Sequence, residues 1–161
     1  MNKKKIKFHA DDLGMTLGAN KAIKKAYEFG LLTSTSIMTN GAAFKDAIDT
    51  VVNKSPGLRV GLHLNISENP NITGKLYGDR SNVIKSLIFK GFISTFILSF
   101  KKLFLISLEK EIRAQFEKAN SHLTNIDHVN SHEHFCAIPR IFELVCKLCA
   151  EYKVKNIRIV N

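Results

Sequence analysis

Apolar and polar positions along this chain switch between two periods. Ile6, Phe8 and Ala10 alternate with Lys5, Lys7 and His9, the period of a strand. From Gly18 to Phe29, Ala19, Ala22, Ile23, Ala26 and Phe29 recur at helical spacing, and Gly30 supplies a stop. Thr33 to Met38 is β-branched and reads as a second strand, followed by a helical stripe of Phe44, Ala47, Ile48 and Val51 closed by Ser55-Pro56-Gly57. Leu58 to Ile66 is a strand with Val60, Leu62 and Leu64 on one face and Gly61, His63 and Asn65 on the other. Residues 67–81 are polar and rich in Gly and Asn, a long loop of the kind that carries function. Two helices are expected over about 82–105 and 108–122, the second with a stripe of Leu108, Ile112, Phe116, Ala119 and Leu123. Asn125 to Ser131 is a strand. Pro139 opens a helix whose buried face is Ile141, Phe142, Val145, Leu148 and Cys149, and Asn156 to Val160 is a last strand.

Strands alternating with helices predict an α/β fold with a parallel sheet covered by helices. In such folds sites gather at the carboxyl ends of the strands. About five parallel strands close no barrel. The chain ends on an apolar strand, so the fold is expected to be completed by further sequence or by a partner.

Composition narrows the class. The 161 residues suffice for one domain with a core, and 45% hydrophobic with 24% charged residues fits a globular protein. The formal net charge is +10, but the lysines are scattered and no aromatics interleave with them, so a solvated surface is expected and a nucleic-acid partner is not. No signal-peptide core follows the basic N-terminus. Gly91 to Leu108 is the most hydrophobic stretch. Lys101-Lys102 interrupt it, which favours a core or oligomer-contact helix over an interfacial one or a membrane span. Three cysteines with no secretory signal point to a reducing cytoplasm, and Cys146 and Cys149, in a helical apolar pattern, read as core thiols.

The chemistry concentrates at strand ends. Asp11-Asp12 closes the first strand, His63 lies in the third, and His132 and His134 follow the fourth, where His128, Asn130, His132 and His134 share one parity. Two histidines and a carboxylate can hold a divalent cation, and a second carboxylate can take a proton from water. Adjacent strand residues point to opposite faces, so both aspartates reach one site only through a turn, for which Leu13-Gly14 is the candidate. The bland alternatives are a helix-capping Asp-Asp and hydrogen-bonded structural histidines. Four of the six histidines fall between His122 and His134, a clustering that favours metal.

The segments HADDLGMTLGANKAI, GLLTSTSIMTNG, VGLHLN and HVNSHEHFCAIPRIFELVCKLCAEYKVKNIRI, in this order, resemble the YdjC-like carbohydrate deacetylases. The resemblance runs through nearly the whole chain and is weakest between residues 67 and 107. It implies an irregular (β/α) barrel, here incomplete, over a single domain of residues 1–161. It also implies a metal-dependent hydrolase that removes an acetyl group from a small N-acetylated sugar or oligosaccharide. By motif, Asp11 falls on the base, and Asp12, His63 and His132 fall on the ligands of one divalent ion, magnesium or zinc. His134, Asn65 and Arg158 are the candidates for sugar contact, with His134 alternatively orienting His132. Asn130, Glu133 and Cys136 stand where the family commonly has aspartate, histidine and histidine, which touches the surrounding hydrogen bonds and substrate preference. Family members continue further, and their histidine acid has no counterpart here, so the chain alone is expected to bind metal and turn over poorly. A metal-binding homologue without turnover is the alternative, and a homodimer is compatible with the pattern.

Overall fold

The computed structural model describes residues 7–68, 70–73 and 92–159. In chain order these form β1 (His9–Leu13), α1 (Leu17–Glu28), β2 (Ser34–Ile37), α2 (Phe44–Thr50), β3 (Arg59–Leu64), α3 (Phe92–Leu98), α4 (Lys102–Asn120), β4 (Val129–Ser131) and α5 (Pro139–Glu151). Short 3-10 turns at Val52–Lys54 and His132–Ala137 follow α2 and β4. The strands form one parallel sheet in the order β1-β2-β3-β4. The expected fifth strand is present as a single bridge between Val129 and Ile157. Val160 and Asn161 lie outside the described residues, as do most of the loop expected over 67–81 and the start of the first helix expected after it.

The local chemistry explains the elements. The Thr16 hydroxyl accepts from the Ala19 amide at 3.1 Å and caps α1. The helix ends in a paired motif, with Gly30 N–H on the Tyr27 carbonyl, Leu31 N–H on that of Ala26, and Gly30 at φ 72°. Of the apolar stripe expected on α1, only Ile23 is buried, and Phe29 is exposed. Asn20 takes the inward place instead. It accepts from Gly14 N–H at 2.7 Å and donates to the Ala43 carbonyl and to Asp46, tying the β1–α1 turn to α2.

The core lies between the sheet and the helices α2, α4 and α5. Leu13, Ile37, Leu62, Leu64 and Val129 from the strands meet Ala47, Leu108, Ile112, Phe116, Ile141 and Val145. The stripe expected for the helix after residue 107 is buried throughout. Its start differs: α4 begins at Lys102, because Ser99 turns its hydroxyl onto the Phe96 carbonyl at 2.6 Å and the chain leaves α3 there. Nor is α3 a core helix. Phe92, Ile93, Phe96 and Ile97 are exposed, as are Phe100 and Leu103 after it. No helix among the described residues is long and apolar enough to cross a membrane.

The sheet is rolled. In a flat sheet, three spacings of about 4.8 Å would hold β1 and β4 roughly 14 Å apart. Yet Asn130 on β4 reaches Asp11 on β1 at 2.8 Å, and the His9 and His128 rings meet edge to face at 4.9 Å. The polar face is therefore concave, and the four strands form an arc of an irregular barrel. Gly61 permits the tightness: a Cβ there would sit 2.5 Å from the His128 ring.

Candidate metal centre

Both aspartates reach the concave end of the sheet, by a device other than the one the sequence suggested. The pairing of β1 with β2 runs Ala10 to Thr35 and resumes Leu13 to Ile37, so β1 carries one extra residue. The extra residue is accommodated at Asp12, whose backbone is left-handed at φ 64°, a conformation that Asp tolerates better than most side chains. The bulge within the strand, not the Leu13-Gly14 turn after it, places adjacent carboxylates side by side.

Asp12 Oδ1 lies 3.1 Å from His63 Nε2 and 3.0 Å from His132 Nδ1. The donor atoms of these three residues lie within 4.8 Å of one another. An ion with bonds of about 2.0–2.2 Å spaces neighbouring ligands by roughly 3–3.4 Å, so the two close pairs match a shared cation. The residues fit on a further ground: His63 Nε2 is buried without a hydrogen-bond partner. Glu68 Oε1 stands 4.0 Å from His132 Nε2, on the far side of that ring. The two rings meet edge to face, 5.5 Å between centroids.

Asp11 is held by four donors. His9 Nε2 at 2.9 Å, Ser36 Oγ at 3.0 Å and Asn130 Nδ2 at 2.8 Å converge on Oδ1, and Arg158 Nη2 at 2.7 Å holds Oδ2. Burial pushes its carboxyl up, but the hydrogen bonds from His9 and Arg158 and the charges around it outweigh burial and hold it far below the usual carboxylate range. The close approach of His63 is the main cause that holds the Asp12 carboxyl low, against its partial burial.

The remaining candidates lie elsewhere. Arg158 binds Asp11 and also lines a small cleft with Asn130, Ser131, His134, Cys136 and Ala137. His134 is exposed at that cleft, and the strand parity does not carry to it. The chain leaves β4 at Ser131, and Glu133 and His134 adopt φ 53° and 57°. Asn65 is fully buried, its amide bonded to Asn40, Met38 and the Glu68 carbonyl and its oxygen to the amides of Ser67 and Glu68. It shapes the turn that carries Glu68. Of the four clustered histidines only His132 joins the group of three. His122 packs on Phe44, and His128 is buried against Gly61, where burial pushes its imidazole down despite the hydrogen bond with Asp127. Cys136 and Cys149 are buried thiols, Cys146 is half-buried, and all three are free.

Four contributors escaped the sequence reading. His9 shares the parity of Asp11, which was a usable signal. Ser36 faces His63 from the next strand, and Asn130 had been read as sharing the parity of the histidines and as a departure from aspartate, with no partner assigned. Glu68 had no signal beyond following the GLHLN strand.

The sequence model of a family described as YdjC-like protein matches residues 5–161. A carbohydrate deacetylase of Oceanobacillus iheyensis is 30% identical over 153 residues, covering 93% of this chain and 63% of its own length. One of Vibrio parahaemolyticus is 28% identical over 156 residues, covering 93% and 57%. Among solved structures, an Enterococcus faecalis V583 protein named for cellobiose-phosphate cleavage superposes with a TM-score of 0.74 at 20% identity, over 93% of this chain and 57% of that one. The chain thus spans somewhat over half the length of the proteins it matches.

Proposed function

Because the chain belongs to the YdjC-like protein family, we propose that it carries the metal-binding and proton-accepting part of a carbohydrate deacetylase acting on a small N-acetylated sugar. The observation that carries this reading is the convergence of Asp12 Oδ1, His63 Nε2 and His132 Nδ1 beside a second carboxylate that four donors hold. Relatives named carbohydrate deacetylases support the reaction class.

Asp12, His63 and His132 would hold one divalent ion, with zinc or magnesium both compatible with the donor set. Bound there, such an ion supplies Lewis-acid polarisation of the acetyl carbonyl and eases the ionisation of water. Asp11 accepts the proton of the attacking water. Its Oδ1 already receives three donors, so Oδ2, which among the described residues receives Arg158, is the oxygen with room for that proton. The same donors that keep Asp11 ionised also weaken it as a base, a compromise that fits a proton made acidic by a nearby cation. Arg158 and His134, at the edge of the small cleft beside Asn130, are the residues proposed to meet the sugar, and Asn65 acts indirectly through the turn bearing Glu68. The free thiols fit a reducing cytoplasm.

Titration calorimetry with zinc, together with acetate release from diacetylchitobiose, tests the reading. Wild type is expected to bind one ion, and His132→Ala to lose at least tenfold in affinity. Equal affinities would remove the centre. Acetate release unchanged by Asp11→Asn would remove the assigned base. Metal binding without any acetate release would favour a binding homologue over an enzyme.

A further inference from the structure

Asn130 joins the two halves of the site. It is 1% exposed, donates from Nδ2 to Asp11 Oδ1 at 2.8 Å, and presents Oδ1 to His63 Nδ1 at 2.7 Å. The two ends of a carboxamide are told apart by their neighbours. Asp11 Oδ1 already accepts from His9 and Ser36, so the NH2 end must face it. The carbonyl then faces His63, and because a carbonyl only accepts, His63 Nδ1 must carry a proton. Ser36 leads to the same assignment. Its one hydroxyl proton goes to Asp11 at 3.0 Å, so toward His63 Nδ1 at 3.3 Å it can only accept.

An imidazole whose Nδ1 carries the proton keeps its lone pair on Nε2. That atom is the buried one without a hydrogen-bond partner, 3.1 Å from Asp12 Oδ1. Two lone pairs so close repel unless a cation lies between them. We propose that Asn130 is a positioning residue: oriented by Asp11, its carboxamide holds the proton on His63 Nδ1 and so directs Nε2 to a cation shared with Asp12 and His132. This inference rests on the metal-centre reading. It couples the base to the ligand set, since the acceptor Asp11 also fixes, through Asn130, the tautomer of His63. Aspartate could accept from His63 in the same way; the donor to Asp11, and with it the coupling to the base, is what asparagine adds.

The test uses the whole 161-residue chain, zinc as the probe, and two variants. In nitrogen-edited NMR of the zinc-loaded wild type, His63 is expected to show an exchange-protected Hδ1. Asn130→Leu removes both hydrogen bonds and is expected to lose that signal and to bind zinc about 10- to 100-fold more weakly. Asn130→Asp keeps an acceptor for Nδ1–H and is expected to keep the signal and an affinity within roughly threefold of wild type. Undiminished zinc affinity in Asn130→Leu would overturn the proposal. So would an Asn130→Asp variant without the Hδ1 signal, an outcome that decides the matter even if Asn130→Leu fails to fold. If wild type binds no zinc, the metal reading fails separately. The His63 tautomer of the metal-free protein, Nδ1–H in wild type and altered in Asn130→Leu, then still decides the role of Asn130.

Discussion

Single residues hold this site through opposed demands. Asp11 is stabilised as an anion by His9, Ser36, Asn130 and Arg158, and those four donors depend on it in turn. Asp11→Asn is therefore expected to lower stability at neutral pH as well as stop acetate release. The sign with pH follows from linkage. A carboxyl held low in the folded state contributes stability that is fully present above the unfolded value of about 4 and is lost as pH falls below it. Acid titration of the metal-free protein, followed by circular dichroism, should show a shallower decline below about pH 4 in the variant. Gly61→Ala should cost about 1–3 kcal/mol in urea unfolding, because the new Cβ meets the His128 ring. At this scale the sequence was legible where a residue type carries its chemistry with it. Asp11, Asp12, His63 and His132 could be named as a set. The bonds that Ser36, Asn130 and Arg158 make to Asp11 could not, since they join residues 25 to 147 positions apart.

Elements were legible by period and obscure where the period breaks. The core stripe of α4 was readable because burial selects one face of a helix. The β1 bulge and the left-handed Glu133–His134 step were not, because neither needs a glycine and both rest on contacts made elsewhere. One element also works outside its own packing. Glu111, fully buried on α4, accepts from the amides of Ile72 and Thr73, from the Thr73 hydroxyl and from Gln115, while Gln115 bonds the backbone of Asn65. The helix thereby fixes the loop leading away from the site. Glu111→Ala would remove these buried hydrogen bonds and should cost about 1–3 kcal/mol or more. Hydrogen exchange should find the amides of Ile72 and Thr73 deprotected while those of α4 stay slow.

At the scale of the molecule, alternating strands and helices foretold the parallel sheet, and the family resemblance foretold the barrel. The alternation alone did not contain the roll that brings side chains of β1 and β4 together. Sheet curvature comes from summed twists and from one bulge, and no local pattern encodes it. The centre exists only when β1, β3 and the end of β4 are together, so an ion bound there binds the folded state alone. Zinc at a hundredfold excess over its Kd should add about 2.7 kcal/mol to unfolding, and His132→Ala should abolish the increment.

The span between the site's halves also sets a schedule. Asp12 and His132 are 120 positions apart. A ribosome adding roughly 5–20 residues per second needs on the order of 6–24 s to travel from one to the other. Through that interval the paired aspartates are already made, while His132, Asn130 and Arg158 have yet to be added. The centre can form only after His132 has been added, by which time β1 to β3 have had time to pair.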